Sequence, residues 1–190
     1  MGIFPGANLD ALRREGCEIL DYRLARKEGD WAGWFDVSVG LHGLTETGVG
    51  RLRAAILDFP RYSRTFKRCL GALAAESGGE TVLDAQLGVK ILGFTFGARL
   101  VCLVTRYIDT EETFDVIFTQ REDFSTLYGA YGEWYFRRVE IDGRPYTYYR
   151  FTASSAVLNK FALQEWIMSA FGPGEFRDFA AQLVRAAGRN

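Results

Sequence analysis

The chain has 190 residues, 48% hydrophobic and 25% charged, with a formal net charge of −1. That balance fits one globular domain with a substantial core, at a size where roughly 70% of the unfolded chain's surface is buried on folding. It argues against a nucleic-acid binder, since the pI is near 5.9 and no known module is present. It also leaves no membrane-spanning helix, because Lys90 and Arg99 interrupt even the best apolar stretch, Val89 to Val104, short of the ~18 residues a span requires.

Met1 to Asn8 lacks a basic start followed by an apolar stretch, so no secretory signal is read and a cytoplasmic location is the expectation. The spacing predicts a short helix over Leu9–Glu15, then a hairpin of Cys17–Lys27 and Trp31–Leu41 about Glu28, Gly29 and Asp30. Thr45 is the expected N-cap of a helix over Glu46–Leu57, on which Val49, Leu52 and Ile56 share a face. Pro60 pushes Phe59 away from helical dihedrals, and a second short helix, Pro60–Phe66, is expected after it. Six strands follow, near Cys69–Glu76, Thr81–Val89, Phe94–Tyr107, Thr113–Gln120, Thr126–Val139 and Tyr146–Ala153, with Ser77-Gly78-Gly79 and Asp142-Gly143 as turns. Two helical segments, Ala156–Ala170 and Glu175–Ala187, close the sequence, separated by Gly172-Pro173-Gly174 as a stop and start or as a hinge.

Aromatic residues are concentrated in the strands: 15 of the 28 Phe, Tyr and Trp lie between Phe94 and Phe151. The last segment then places Phe176, Phe179, Ala180, Leu183, Val184 and Ala187 on one helical face. A curved sheet closed by an amphipathic helix is the shape this pattern predicts.

Catalytic signatures are absent from the same pattern. His42, the sole histidine, has no Ser, Cys or carboxylate motif around it and reads as a bystander rather than a general base. Cys17, Cys69 and Cys102 are odd in number and widely spaced, which indicates reduced, partly buried thiols rather than disulfides or a zinc site. Ser154-Ser155 reads as the start of the next helix. Asp84, Gln86, Glu111, Glu112 and Asp115 have the spacing of solvated faces. Gly48-Val49-Gly50 and Gly93 to Gly97 lack the P-loop Lys and the Rossmann spacing. No metal and no cofactor are indicated.

Two short signatures, in this order of elements, resemble a known superfamily. Leu57-Asp58-Phe59-Pro60-Arg61-Tyr62 through Phe66 resembles the segment between the two small helices of START-like, or polyketide cyclase and dehydrase, proteins. Tyr131-Gly132-Glu133-Trp134-Tyr135-Phe136 is similar to their Gly-x-Trp strand. The likeness, which includes the coenzyme Q-binding branch, covers about residues 33 to 187. It implies an α+β helix-grip fold: a curved antiparallel sheet of about seven strands around a C-terminal helix, enclosing a hydrophobic cavity. Residues 1–30 are extra and are expected to add a strand at the sheet edge of a single domain, 1–190.

Given that fold, strand alternation assigns the inward set. On the Gly-x-Trp strand it holds Tyr128, Ala130, Gly132, Trp134 and Phe136; on the strand before it, Phe114, Val116 and Phe118. The long strand gives Phe94, Phe96, Ala98, Leu100 and Cys102, with Arg99 outward beside Asp115 or Glu133. Tyr149 and Phe151 join from the last strand, and Phe176, Phe179 and Leu183 from the helix. Alternation alone leaves filled core and open cavity as equals; the resemblance favours a cavity.

Three functions fit that fold. Binding or carriage of a lipid, quinone or polyketide-like molecule comes first, with Trp134 and the Phe residues as walls and Tyr128 or Tyr148 orienting the ligand. A cyclase, aromatase or dehydratase is the enzymatic alternative, and a ligand-free interaction domain the third. Arg51, Arg53, Arg61, Arg64, Lys67 and Arg68 cluster on the small helices with Asp58 the one acid among them. Within this set Arg61, Arg64 and Arg68 at i, i+3 and i+7 could dock the mouth on an anionic membrane or partner, against the plainer reading of a solvated helix face.

Overall fold

Asn8 begins the first helix, its side-chain oxygen accepting the Ala11 N–H at 3.0 Å, as an N-cap residue should. The helix α1 (Leu9–Glu15) ends at Gly16, whose φ of 79° suits glycine alone. In the computed structural model, residues 7–91, 94–121, 127–160 and 164–189 are described, without the side chains of 77, 89–91, 94–96, 166, 167 and 171. The later elements are β1 (Cys17–Arg26), β2 (Trp34–Thr45), α2 (Val49–Leu57), α3 (Tyr62–Thr65), β3 (Cys69–Ser77), β4 (Glu80–Ile91) and β5 (Phe94–Asp109). They continue with β6 (Thr113–Gln120), β7 (Leu127–Ile141), β8 (Arg144–Leu158) and α4 (Gln164–Arg189).

The eight strands among the described residues form one antiparallel sheet in the order β1-β2-β8-β7-β6-β5-β4-β3. The chain builds one edge first, leaves through α2 and α3, starts again at the opposite edge and works back until β8 meets β2. Tight turns set that return path: Gly78 and Gly79 have φ of 62° and 83°, and Asp142 and Gly143 have 51° and 72°, the double positive φ of a two-residue hairpin. The helix α4 packs on α2 and across β1 and β2. Its Ala180, Leu183 and Ala187 are fully buried in the core with Leu41, Leu52, Phe114 and Phe136. The α+β helix-grip architecture expected from the resemblance is the one observed.

Four local expectations are corrected. Thr45 does not cap α2; Gly48 holds that position, and Thr45 Oγ1 accepts from the Thr47 N–H in the preceding turn. Residues 28–30 do not make a simple hairpin turn, because Gly29–Trp31 winds into a 3-10 turn. Ser154 and Ser155 do not start a helix; β8 runs on to Leu158, held by β2 through Val37↔Ser155 and Trp34↔Leu158.

The fourth is Gly172-Pro173-Gly174, which does not divide two helices: α4 is continuous with Pro173 inside it. Proline there removes a hydrogen bond and crowds the carbonyl four residues back, at a cost of roughly 3 kcal/mol. Burial of the helix face beyond it outweighs that cost, since each fully buried Leu or Phe contributes about 1.5–3 kcal/mol. Tyr22 on β1 fixes the turn before the proline, donating to the Met168 carbonyl at 2.8 Å. Gly172 makes room for it, because a Cβ there would lie 2.2 Å from the Tyr22 oxygen.

Candidate ligand-binding site

Between α4 and the concave face of the sheet lies a cavity of about 460 Å³, within the roughly 300–1,000 Å³ of small-molecule sites. Its inner wall is aromatic: Trp134 and Phe151 stand 4.6 Å apart between ring centroids, and Phe179 lies 5.4 Å from Phe151. Phe118 and Phe176 complete that wall. The opposite wall is aliphatic, with Leu83, Ala85 and Leu87 of β4 and Leu100 of β5. Tyr62 and Phe66 of the α3 corner close one side, the Tyr62 hydroxyl being spent on the Ile56 carbonyl.

The titratable groups of this interior are neutral. Burial pushes the Cys102 thiol up to about 12 and raises Cys69, whose Sγ lies 3.3 Å from the Gly71 carbonyl. Burial also raises the Tyr62 phenol well above its ordinary value. A neutral thiol is a poor nucleophile. Among the described residues, charge in the lining is at the rim, where Arg68 donates twice to Glu175, at 2.9 and 2.7 Å. That fork holds the Glu175 carboxyl below the usual range. Lys67 pairs with Asp178 beside it, and the Lys67 N–H donates to Gln182 Oε1 at 2.6 Å, so the α3–β3 corner is stitched to α4.

The predicted ligand residues separate into groups. Leu100, Phe118, Trp134, Phe151, Phe176 and Phe179 line the cavity. Phe114, Val116, Phe136 and Leu183 are packed behind it in the core, each 0% exposed. Tyr149 turns away: glycine at position 43 lets its ring lie across β2, where a Cβ would meet it at 2.3 Å, and its hydroxyl donates to the Gly16 carbonyl at 3.2 Å. Tyr128 is on the opposite side of the sheet, 41% exposed and 4.9 Å from the Trp31 ring. A bulge at Gly129, φ 61°, shifts the β7–β8 register between Tyr128 and Tyr131, which reverses parity and brings Leu127 into the wall instead. Phe94 and Phe96 lie outside the described side chains. Tyr148 is buried on the convex face, 3.2 Å from His42. Alternation in β4 would have found Leu83, Ala85 and Leu87; nothing in the sequence marks the long-range meeting of Arg68 with Glu175.

The three predicted docking arginines also part. Arg68 belongs to the cavity rim, while Arg61 and Arg64 line a separate cleft with Arg185 and Arg189 of α4. Arg53 leaves the basic face altogether to pair with Asp109. On the convex face, Arg99 pairs with Asp84 at 2.6 Å rather than with Asp115 or Glu133. Asp115, expected to be solvated, is 5% exposed. Glu133 binds Arg150 at 2.5 Å.

No protein-family model matches this chain, and no curated protein matches it in sequence. Solved structures do match. Human StAR-related lipid transfer protein 5 superposes with a TM-score of 0.59 at 11% identity, covering 95% of this chain and 92% of that one. A STAR-related lipid transfer protein fragment from Xanthomonas axonopodis also gives 0.59, at 10% identity over 87% and 98%. The di-domain ARO/CYC StfQ of the steffimycin biosynthetic pathway gives 0.50 at 9% identity over 79% of this chain, which spans about half of that protein, 49%. With its eight-stranded grip closed by one long helix, the chain has the START-like helix-grip fold.

Proposed function

We propose that this protein binds and carries one hydrophobic or aromatic small molecule, of the lipid, quinone or polyketide-like kind, in the cavity under α4. The observation that carries this reading is the wall itself: Trp134, Phe151, Phe176 and Phe179 face about 460 Å³ of space, with the charge among the described lining residues confined to Arg68 and Glu175 at the rim. Each 100 Å² of apolar ligand surface buried there contributes about 2.5 kcal/mol before the cost of association. Two of the similar structures are lipid transfer proteins, which supports the same ligand class. A cyclase or aromatase would need polar groups deep inside to move protons; the neutral interior speaks for a carrier. Peripheral contact with an anionic membrane through Arg61 and Arg64, beside the neutralised rim, completes the reading as the route by which ligand enters.

Native mass spectrometry of the purified protein, followed by organic extraction, tests the proposal. A co-purifying apolar molecule that is lost in Ala153→Trp, which fills the cavity, is the expected result. Bare protein, together with hydrophobic probes that bind wild type and the filled variant alike, would sink it and leave a protein-interaction role.

A further inference from the structure

The cleft beside the cavity gathers like charges from elements far apart in sequence. Arg61 and Arg64 come from the segment around α3, and Arg185 and Arg189 from the last turns of α4, around a floor that includes Ala55 and Ala186. Asp58 is the one acid in its lining, 3.4 Å from Arg61. Arg185 reaches Asp178 only at 3.5 Å. Arg64 and Arg189 make no ion pair among the described residues. Arg185 and Arg189 complement the C-terminal dipole of α4, but that accounts for neither Arg61 nor Arg64 on the facing wall.

Four guanidinium groups around a concave site of about 210 Å³ repel one another, Asp58 and Asp178 offset only Arg61 and Arg185, and a concave site concentrates the field of the remaining charge on a bound anion. Guanidinium forks match tetrahedral oxyanions, to which they donate in pairs. We infer that this cleft is a discrete site for a phosphate-type dianion, borne either by a lipid phosphomonoester headgroup or by a soluble phosphorylated compound. The inference deepens the membrane part of the reading above by naming the chemistry, and it is independent of what fills the cavity.

Calorimetry with inorganic phosphate at low salt tests the site directly, and vesicle sedimentation identifies the source. Wild type should bind phosphate saturably at one site. Arg64→Gln combined with Arg189→Gln should weaken binding at least about tenfold, the contribution of one lost charge-assisted hydrogen bond. Arg138→Gln, in an exposed pair with Glu112 and outside the cleft lining, should leave it unchanged. Preference for phosphatidic acid over phosphatidylserine vesicles at equal mole fraction, abolished by the double variant, assigns the anion to a lipid; saturable phosphate binding without that preference assigns it to a soluble compound. Absence of saturable phosphate binding, or equal binding by the double variant, overturns the site. Equal sedimentation with both lipids alongside that absence would overturn it while leaving nonspecific membrane contact standing.

Discussion

The two faces of the sheet solve opposite problems. The concave face carries Trp134, Phe151 and Phe118 toward α4 and leaves space between them. The convex face carries Asp115, Glu133, Arg150 and His42 and leaves almost none, though its residues are polar: Asp115 and Glu133 are 5% exposed and His42 1%. Tyr135, Tyr146 and Tyr148 pack there against Leu12 of α1, the N-terminal helix that covers that side. His42 lies between Tyr148, 3.2 Å from Nδ1, and Glu18, 3.3 Å from Nε2. An apolar wall can stand next to empty space because its groups lose only contacts; a buried charge must find a partner or destabilise the fold. Rigidity therefore belongs to the polar face and accommodation to the aromatic one.

The sharpest test breaks the polar face. Replacing Glu133 by Leu removes the carboxylate 2.5 Å from the buried Arg150 guanidinium, and should lower stability by about 3–5 kcal/mol, read by urea unfolding. On the other face, Phe176→Ala enlarges a space already present at a half-buried position, so its cost should fall below the ~3–5 kcal/mol of a packed Phe→Ala change. Its larger effect should be on affinity for hydrophobic probes. Equal losses in the two variants would erase the distinction.

Asp115 sharpens it further. Its Oδ1 is buried without a hydrogen-bond partner among the described residues, and burial, aided by the Glu133 charge, raises its carboxyl above the ordinary value. A raised folded-state value means the group favours folding below the unfolded carboxylate range and loses that contribution as pH rises through the folded value. Asp115→Asn should accordingly stabilise the protein at neutral pH by about 1 kcal/mol, with the difference shrinking toward acid, as thermal melts at several pH values would record. At the rim the sign is reversed. Glu175 is held low by Arg68, so the pair's contribution is lost as pH falls through the depressed value. Because both side chains are well exposed, Arg68→Gln should cost under about 1 kcal/mol while speeding probe release in stopped flow.

Sequence periodicity located these faces through local rules and failed where a local rule was overridden from a distance. The strand β6 was legible to the residue, Thr113 to Gln120, because alternation and turn signals agreed. Tyr128 was misplaced because one glycine in a positive-φ bulge inverts every side chain before it. The break at Gly172-Pro173-Gly174 was misread because proline's local penalty says nothing of the face buried beyond it. The neutralised rim could not be read at all: Arg68 and Glu175 are 107 residues apart, and pairing at that range is a property of the fold.

The bond from Tyr22 to the Met168 carbonyl joins residues 146 positions apart, and it orders events in time. Tyr22 leaves the ribosome before the helix turn it holds, which follows the eight described strands in the chain. Until residues 164–189 are made, Trp134, Phe151 and Phe118 lack the helix that covers them, and so large a loop must close before the contact repays its entropy. A sheet made before its helix exposes that apolar face in the interval, and an apolar ligand present then would be enclosed as the helix docks.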